Sequence, residues 1–176
     1  LSLRRQRQMC IRDRMGAVLR VTVGGKTVTH DLERLRANGL NMRPALERVL
    51  QVQTDAVRDQ FDTEGQHYGR RWAGLSHKYK VRKDRERPGR KILVYSGKLK
   101  RTAAPHLAAQ AGVYRVTGKR GEVGLTDAQV PYAKYHQAGT NKMPARPFMG
   151  DPTRKDQKAM VKEVHRWLVN GLEVLR

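Results

Sequence analysis

The chain has 176 residues, with 37 Lys and Arg against 16 Asp and Glu, which gives a formal net charge of +21. One domain is expected at this length, with one modest core from the 38% of apolar residues. No stretch approaches the ~20 apolar residues of a membrane helix, and a single cysteine excludes a disulfide framework or a cysteine-based zinc site. The charge argues against an enzyme for small neutral substrates and favours a polyanionic partner or an acidic assembly.

The first fourteen residues, LSLRRQRQMCIRDR, carry five Arg and one Asp, and no apolar stretch typical of a secretory signal follows them. Such a segment could act as a basic arm that contacts phosphates. The string RRQRQMCIRDR also resembles translated sequencing-adapter read-through, which predicts that 1–14 is a non-native, disordered and dispensable leader. On this interpretation the natural chain starts at Met15, and 15–176 forms a single domain.

The next segments predict a β-hairpin and a short helix. VLRVTVGGKTVTH at 18–30 alternates apolar and polar residues around Gly24–Gly25, a pair that suits a two-residue hairpin turn. DLERLRANG at 31–39 predicts a helix with Asp31 as its N-cap and Gly39 as its stop.

Two longer helices are predicted from apolar residues at helical spacing. The first runs from Met42 to Phe61, with Asn41 as its cap and Pro44 in its first turn. The second covers 151–176, where the apolar period is clearer.

Between these helices the pattern changes. Residues 64–91 contain several glycines and few apolar residues, which predicts a long basic loop. KILVYSG at 91–97 predicts a strand, AGVYRVTG at 111–118 and GEVGLTD at 121–127 predict a second hairpin, and PYAKYHQAG at 131–139 predicts one or two helical turns. The segregated strands and helices predict an α+β fold, with an antiparallel sheet of hairpins packed on the long first helix and the C-terminal helix.

No constellation of residues predicts catalysis, a cofactor or a metal site. The six histidines lack the pair at i and i+4 with a Glu that a zinc hydrolase helix needs. The sequence has neither a Walker-type phosphate loop nor a GxSxG elbow, and its clustered carboxylates at Asp55, Asp59 and Asp62 are expected on a solvated helical face. The chain is therefore predicted not to be an enzyme.

The strongest local feature is a run of cations. Residues 70–101 contain thirteen Lys or Arg and two acids, near Tyr68, Trp72 and Tyr79. Cations and aromatic rings can grip phosphates and stack on bases, but the favoured interpretation is a solvated loop that meets an acidic protein, with Trp72 anchored in the core. The candidate polyanion contacts are Arg70, Arg71, Lys78, Lys80, Arg82, Lys83, Arg85, Arg87, Arg90 and Lys91.

TNKMPARPFMGDP at 140–152 cannot form regular structure, because it contains three prolines and a glycine. Pro144 and Pro147 favour an extended backbone. Arg146 between them is expected on the surface, where it can bind a partner carboxylate. Phe148 could fill the domain's own core or join a neighbouring subunit.

Several of these segments form an ordered series of motifs. Gly69, Trp72 and Leu75 are followed by KILVYSGKLKRT at 91–102, YAKYHQAG at 132–139 and MPARPFMG at 143–150. In this order and spacing they resemble the phage virion morphogenesis family, the Mu-like tail completion proteins. The resemblance implies an α+β, non-enzymatic structural protein, made late in phage or prophage expression, that completes the head-proximal end of the tail for joining to the head.

The resemblance also implies other phage tail or neck proteins as partners and a homo-oligomeric ring. It implies a location in the virion, at the tail or neck, after assembly in the bacterial host cytoplasm. No membrane partner is expected, and DNA contact stays open because a neck ring surrounds the DNA path. The alternative is a basic nucleic-acid-binding module that uses 70–101. The candidate assembly-interface residues are Trp72, Leu75, Tyr132, His136, Gln137, Arg146, Pro147 and Phe148.

Overall fold

The structure of the protein is a computed structural model that describes residues 25–106 and 108–170, with side chains described from residue 30 onward. Within these ranges the chain forms helices and a small antiparallel sheet, which confirms the predicted α+β class. The predicted leader over 1–14, the first half of the predicted hairpin and the chain after 170 lie outside the described residues.

The described elements follow one another in chain order. They are α1 (Gly25–Leu40), α2 (Arg43–Asp62), a 3₁₀ turn (Gln66–Tyr68), α3 (His77–Glu86), α4 (Lys98–Ala103), a second 3₁₀ turn (Ala108–Gln110), β1 (Val113–Val116), β2 (Gly121–Gly124), α5 (Ala133–Ala138) and α6 (Arg154–Leu168). β1 and β2 pair antiparallel, with Val113 opposite Gly124 and Val116 opposite Gly121. The hairpin at 111–127 and the helical turns at 131–139 were predicted and are confirmed. None of these helices is both long and apolar enough to cross a membrane.

Helix α2 carries the central part of the core. Leu50, Val57 and Phe61 lie on its buried face, as the apolar period predicts. Trp72 meets the Phe61 ring edge to face, with ring centroids 5.6 Å apart, and Phe148 lies 5.8 Å from the same ring. These three aromatic side chains are almost completely buried, and their mutual contacts add to the burial of their apolar area.

Two contacts hold α6 in place. Thr153 and Asp156 form a capping box at its N-terminus, and His67 Nε2 lies 2.9 Å from the same carboxylate. Burial raises the pKa of Asp156, but the hydrogen bonds from Thr153 and His67 outweigh burial, so its pKa lies below the ordinary value. At the other end, Asn38 Nδ2 donates to the carbonyl of Trp167 at 3.1 Å, and the indole N–H of Trp167 donates to the carbonyl of Asn38 at 3.1 Å.

The predicted hairpin at 18–30 is wrong in its described part, because Gly25 to His30 begin helix α1. The predicted short helix at 31–39 is the second half of this same helix, so Asp31 is not its N-cap, and Gly39 lies inside it. The alternation in GKTVTH is too short to outweigh a continuous sixteen-residue helix whose end is held against α6.

The predicted long basic loop over 64–91 is also wrong, because it contains the ten-residue helix α3. Most α3 side chains are exposed, so the helix has no apolar period for sequence analysis to detect. Lys and Arg have high helix propensity, and Lys83 ties α3 to the chain that follows by donating to the carbonyls of Arg90 and Lys91.

The strand predicted at 91–97 is a series of turns instead. Leu93 has a φ of 60°, in the left-handed region that a strand does not use. The backbone N–H of Ile92 donates to the side-chain carboxylate of Glu64 at 2.8 Å, so a side chain takes the place of a neighbouring strand. This hydrogen bond is the main reason that the pKa of Glu64 lies below its ordinary value.

Two glycines in the turn before Trp72 provide a matched test of this packing. Gly65 and Gly69 both have positive φ, at 105° and 94°. A Cβ at Gly65 would lie 2.6 Å from the carbonyl oxygen of Arg70 and 2.7 Å from the backbone nitrogen of Trp72, whereas a Cβ at Gly69 would meet nothing within 4 Å.

We expect Gly69→Ala to lower the free energy of unfolding by about 1–2 kcal/mol, the cost of a left-handed alanine. Gly65→Ala should cost about 1–3 kcal/mol more, because backbone atoms must also move. Urea unfolding of both variants tests the difference, and equal losses would contradict the packing described for Trp72.

Candidate partner-binding groove

The arm at 140–152 is attached to its own domain through the carbonyl of Pro147. Trp72 Nε1 and Gln60 Nε2 each donate to that oxygen at 2.9 Å. Phe148, the next residue, is 2% exposed and packs against Phe61. Of the two roles open to Phe148 from the sequence, the structure shows the first: it fills the core of its own domain.

Helix α5 holds the arm from the other side. Gln137 Oε1 accepts hydrogen bonds from the backbone N–H groups of Phe148 and Met149 at 3.1 and 3.3 Å, and its Nε2 donates to the carbonyl of Met149 at 2.5 Å. The backbone N–H of Arg146 donates to the carbonyl of His136 at 2.7 Å. The arm is irregular, as predicted, but side-chain and main-chain hydrogen bonds fix its path.

Arg146 is buried, which corrects the expectation that it is a surface residue. Only 4% of it is exposed, and its Nε and Nη2 donate to the carbonyls of Ala73 and Gly74, each at 2.8 Å. Burial lowers the pKa of its guanidinium. No carboxylate of the described residues forms an ion pair with Arg146. The inward position follows from the tight attachment of its neighbours on both sides.

His136 lies beside this guanidinium. Its ring is half-buried and meets the Tyr132 ring edge to face, with centroids 5.9 Å apart. Burial, and secondarily the charge of Arg146, lower the pKa of His136. Its Nδ1 has no hydrogen-bond partner among the described residues.

Tyr132, His136 and Arg146 line a groove of about 860 Å³. The groove lies between α3, the turns before α4, helix α5 and the arm. We call its buried and half-buried aliphatic side chains the floor, and its exposed lysines, Lys98 and Lys142, the rim. The floor consists of Leu75, Leu93, Val94, Leu99 and Met143. The lining of the groove also includes Tyr79, Tyr95 and Tyr132. Its basic residues are Lys83, Lys98, Lys142, Arg146 and the half-buried His136, and its lining contains no Asp or Glu.

The predicted interface residues therefore divide into two groups. Leu75, Tyr132, His136 and Arg146 line the groove. Trp72, Gln137, Pro147 and Phe148 instead build the core and attach the arm. Whether the first group binds a partner stays a prediction.

One predicted polyanion contact is buried. Lys83 is 3% exposed, and its ammonium group donates hydrogen bonds to backbone carbonyls. Burial lowers its pKa. It is therefore not available to a phosphate. The remaining candidates are exposed on α3 and its flanking segments, namely Arg70, Arg71, Lys78, Lys80, Arg82, Arg85, Arg87, Arg90 and Lys91.

Sequence analysis missed three residues that matter here. Gln60 lies one turn after Val57 in the buried stripe of α2, and a polar residue at such a position signals a specific hydrogen bond. Lys98 belongs to the cation run at 70–101 but was not among the named candidates, and Lys142 gave no local signal, because the fold alone brings the two lysines to the same groove. No group of three or more His, Cys, Asp or Glu within the described ranges is arranged to hold a metal ion.

The model of the phage virion morphogenesis family matches residues 23–169, a range that includes the groove and the arm. The chain belongs to the phage virion morphogenesis family. An uncharacterized protein of Methanocaldococcus jannaschii is 34% identical over 98 residues, which are 54% of this chain and 67% of that protein. No solved structure matches the chain significantly. Membership of the virion morphogenesis family confirms the resemblance found in the motifs.

The attachment of the arm can be tested at Gln137. We expect Gln137→Ala to lower the free energy of unfolding by about 2–4 kcal/mol, because each buried polar group left unpaired costs about 1–3 kcal/mol. Amide exchange at Phe148 and Met149 should accelerate. The control is Gln51→Ala, which removes an exposed side chain bonded only to Asp55 and should change stability by less than about 0.5 kcal/mol. Unchanged amide exchange in Gln137→Ala would contradict the described attachment.

The buried histidine predicts a pH dependence of stability. Because the pKa of His136 in the folded state lies below its ordinary value of 6.5, the unfolded state binds its proton more readily. The contribution of the neutral His136 to the free energy of unfolding is fully present above pH 6.5. It is lost as the pH falls through the lower pKa that His136 has in the folded state. We expect the free energy of unfolding to rise as the pH increases towards 6.5, with a smaller slope in His136→Gln. An NMR titration of His136 with a midpoint at or above 6.5 would contradict this.

Proposed function

We propose that this chain is a non-enzymatic structural protein that completes the head-proximal end of a phage tail and prepares it for joining to the head. Its family assigns it to virion morphogenesis. The more specific role in tail completion is supported by the motif series at 69–75, 91–102, 132–139 and 143–150. All four motifs lie within residues 23–169, which the family model matches.

The observation that carries the proposal is the groove itself. Trp72, Gln137 and Phe148 stabilise the core of their own domain and the attachment of the arm, which leaves a concave surface with an aliphatic floor and a cationic rim. Such a surface suits docking of another protein, since apolar area supplies affinity and charge supplies orientation. We infer that its partners are other tail or neck proteins.

A tail end is rotationally symmetric, so a protein that completes it is expected to form a homo-oligomeric ring. The outer face of α3 suits a position facing the DNA path. Lys78, Arg82 and Arg85 are exposed and recur at i, i+4 and i+7 along one side of this helix, and rows of cations bind phosphates without regard to sequence. Contact with DNA would then be a second role of the same ring. The proposal places the protein at the tail or neck of the virion.

Deletion of the gene from the phage or prophage that encodes it tests the proposal. We expect DNA-filled heads and separate tails by electron microscopy, with joined particles restored by the wild-type gene in trans. A particle reconstruction should place the chain at the head-proximal end of the tail, with α3 towards the channel. Normal yields of joined particles after deletion, or a location at the distal end of the tail, would overturn the proposal.

A further inference from the structure

We propose that the groove binds a short acidic segment of another particle protein, with a carboxylate of that segment on Arg146 and an aliphatic side chain on the groove floor. This inference rests on the proposed function, because it takes the partner to be another protein of the same assembly.

Arg146 is the first reason to expect an anion. A guanidinium has five N–H donors, and the hydrogen bonds of Arg146 engage only Nε and Nη2, both with neutral backbone carbonyls. Among the described residues no carboxylate balances this charge, although the residue is 4% exposed. A buried charge without a counter-charge is costly, and a carboxylate from a partner offsets that cost through short, charge-assisted hydrogen bonds.

The rim of the groove is the second reason. Lys98 lies at the start of α4 and Lys142 lies in the arm, so they reach the groove from separate segments. Both are exposed, and neither ammonium group makes a hydrogen bond or an ion pair with another described residue. Since the lining contains no acidic residue, the groove presents positive charge alone and favours an acidic ligand.

The floor decides between a peptide and a nucleic acid. Single strands bind by stacking bases on aromatic rings and placing a phosphate at every step. Here the three tyrosines stand among aliphatic residues such as Leu75, Leu93 and Met143, which instead suit an aliphatic side chain. The volume of about 860 Å³ falls in the range that encloses most of a drug-sized ligand, and so suits a few residues of peptide.

The test is an array of random hexapeptides in three compositions, probed with the purified full chain at physiological salt. One set combines Asp and Glu with Leu and Ile, the second replaces the aliphatic residues by Ser and Gly, and the third replaces the acids by Asn and Gln. We expect binding to concentrate in the first set. The tightest peptide is then remade with a fluorescent label for polarization measurements.

The rim variant Lys98→Glu/Lys142→Glu should lower the affinity for this peptide by at least about tenfold, because each lysine is replaced by a carboxylate that repels the acidic side chains of the peptide. Its control is Lys155→Glu/Lys162→Glu, which makes the same change of net charge on exposed positions of α6, outside the groove. The melting temperatures of both variants should match the wild type. Arg146→Lys, checked for folding by circular dichroism, keeps the charge but loses the planar fork and should also weaken binding.

Equal binding of the three sets, or equal losses in the rim variant and its control, would overturn the inference. So would a labelled thymidine oligonucleotide that displaces the peptide and is itself released by the rim substitutions, because the groove would then be a nucleic-acid site. The two proposals fail separately. A tail that joins its head without this chain overturns the proposed function and leaves peptide binding standing, whereas a chain located at the tail end that binds no peptide set overturns this inference alone.

Discussion

The carbonyl of Pro147 is the contact on which the rest of the domain depends. It accepts hydrogen bonds from Gln60 on α2 and from the indole of Trp72, and both of these donor side chains are buried. Polar groups in such surroundings must be paired, so these partners have little freedom to move apart. The junction thereby joins three segments that are far apart in the chain.

The groove is a consequence of that junction. With Pro147 held on α2 and the following residues held by Gln137, the side chain of Arg146 points back into the protein and binds the carbonyls that precede α3. The same path brings Lys142 to the groove that Lys98 also lines. The arm therefore closes the core of its own domain and also forms one side of the groove. No acidic residue in the groove lining neutralises the positive charge there.

The large positive charge is distributed unevenly over the fold. Several acids are engaged in internal contacts: Asp62 Oδ1 lies 2.6 Å from Lys100 Nζ, Glu64 binds the backbone of Ile92, and Asp156 caps α6. The lining of the groove contains no acidic residue, and on α3 the exposed cations outnumber the two acids, Asp84 and Glu86. Positive charge is therefore in excess on the two surfaces that the proposed function assigns to partners.

Local patterns were sufficient for the elements whose signals are local. The apolar period of α2 and the glycine-bounded hairpin β1–β2 follow from side chains close in sequence, and so does the irregular course of 140–152. α3 escaped prediction because a solvated helix needs no apolar stripe, and 91–97 failed as a strand because Glu64 supplied the hydrogen bond that a neighbouring strand would have supplied.

The sequence by itself determined the charge, the family resemblance and the elements with a strong period. Only the tertiary structure decided which side chains of the arm face inwards: Phe148 enters the core, and Arg146, which the pattern places on the surface, is buried. Lys83 was likewise predicted to contact a phosphate, but it is buried. The physical reason is that burial of a polar side chain depends on its partners, and those of Arg146 lie 73 and 72 positions away along the chain. No local spacing contains that information.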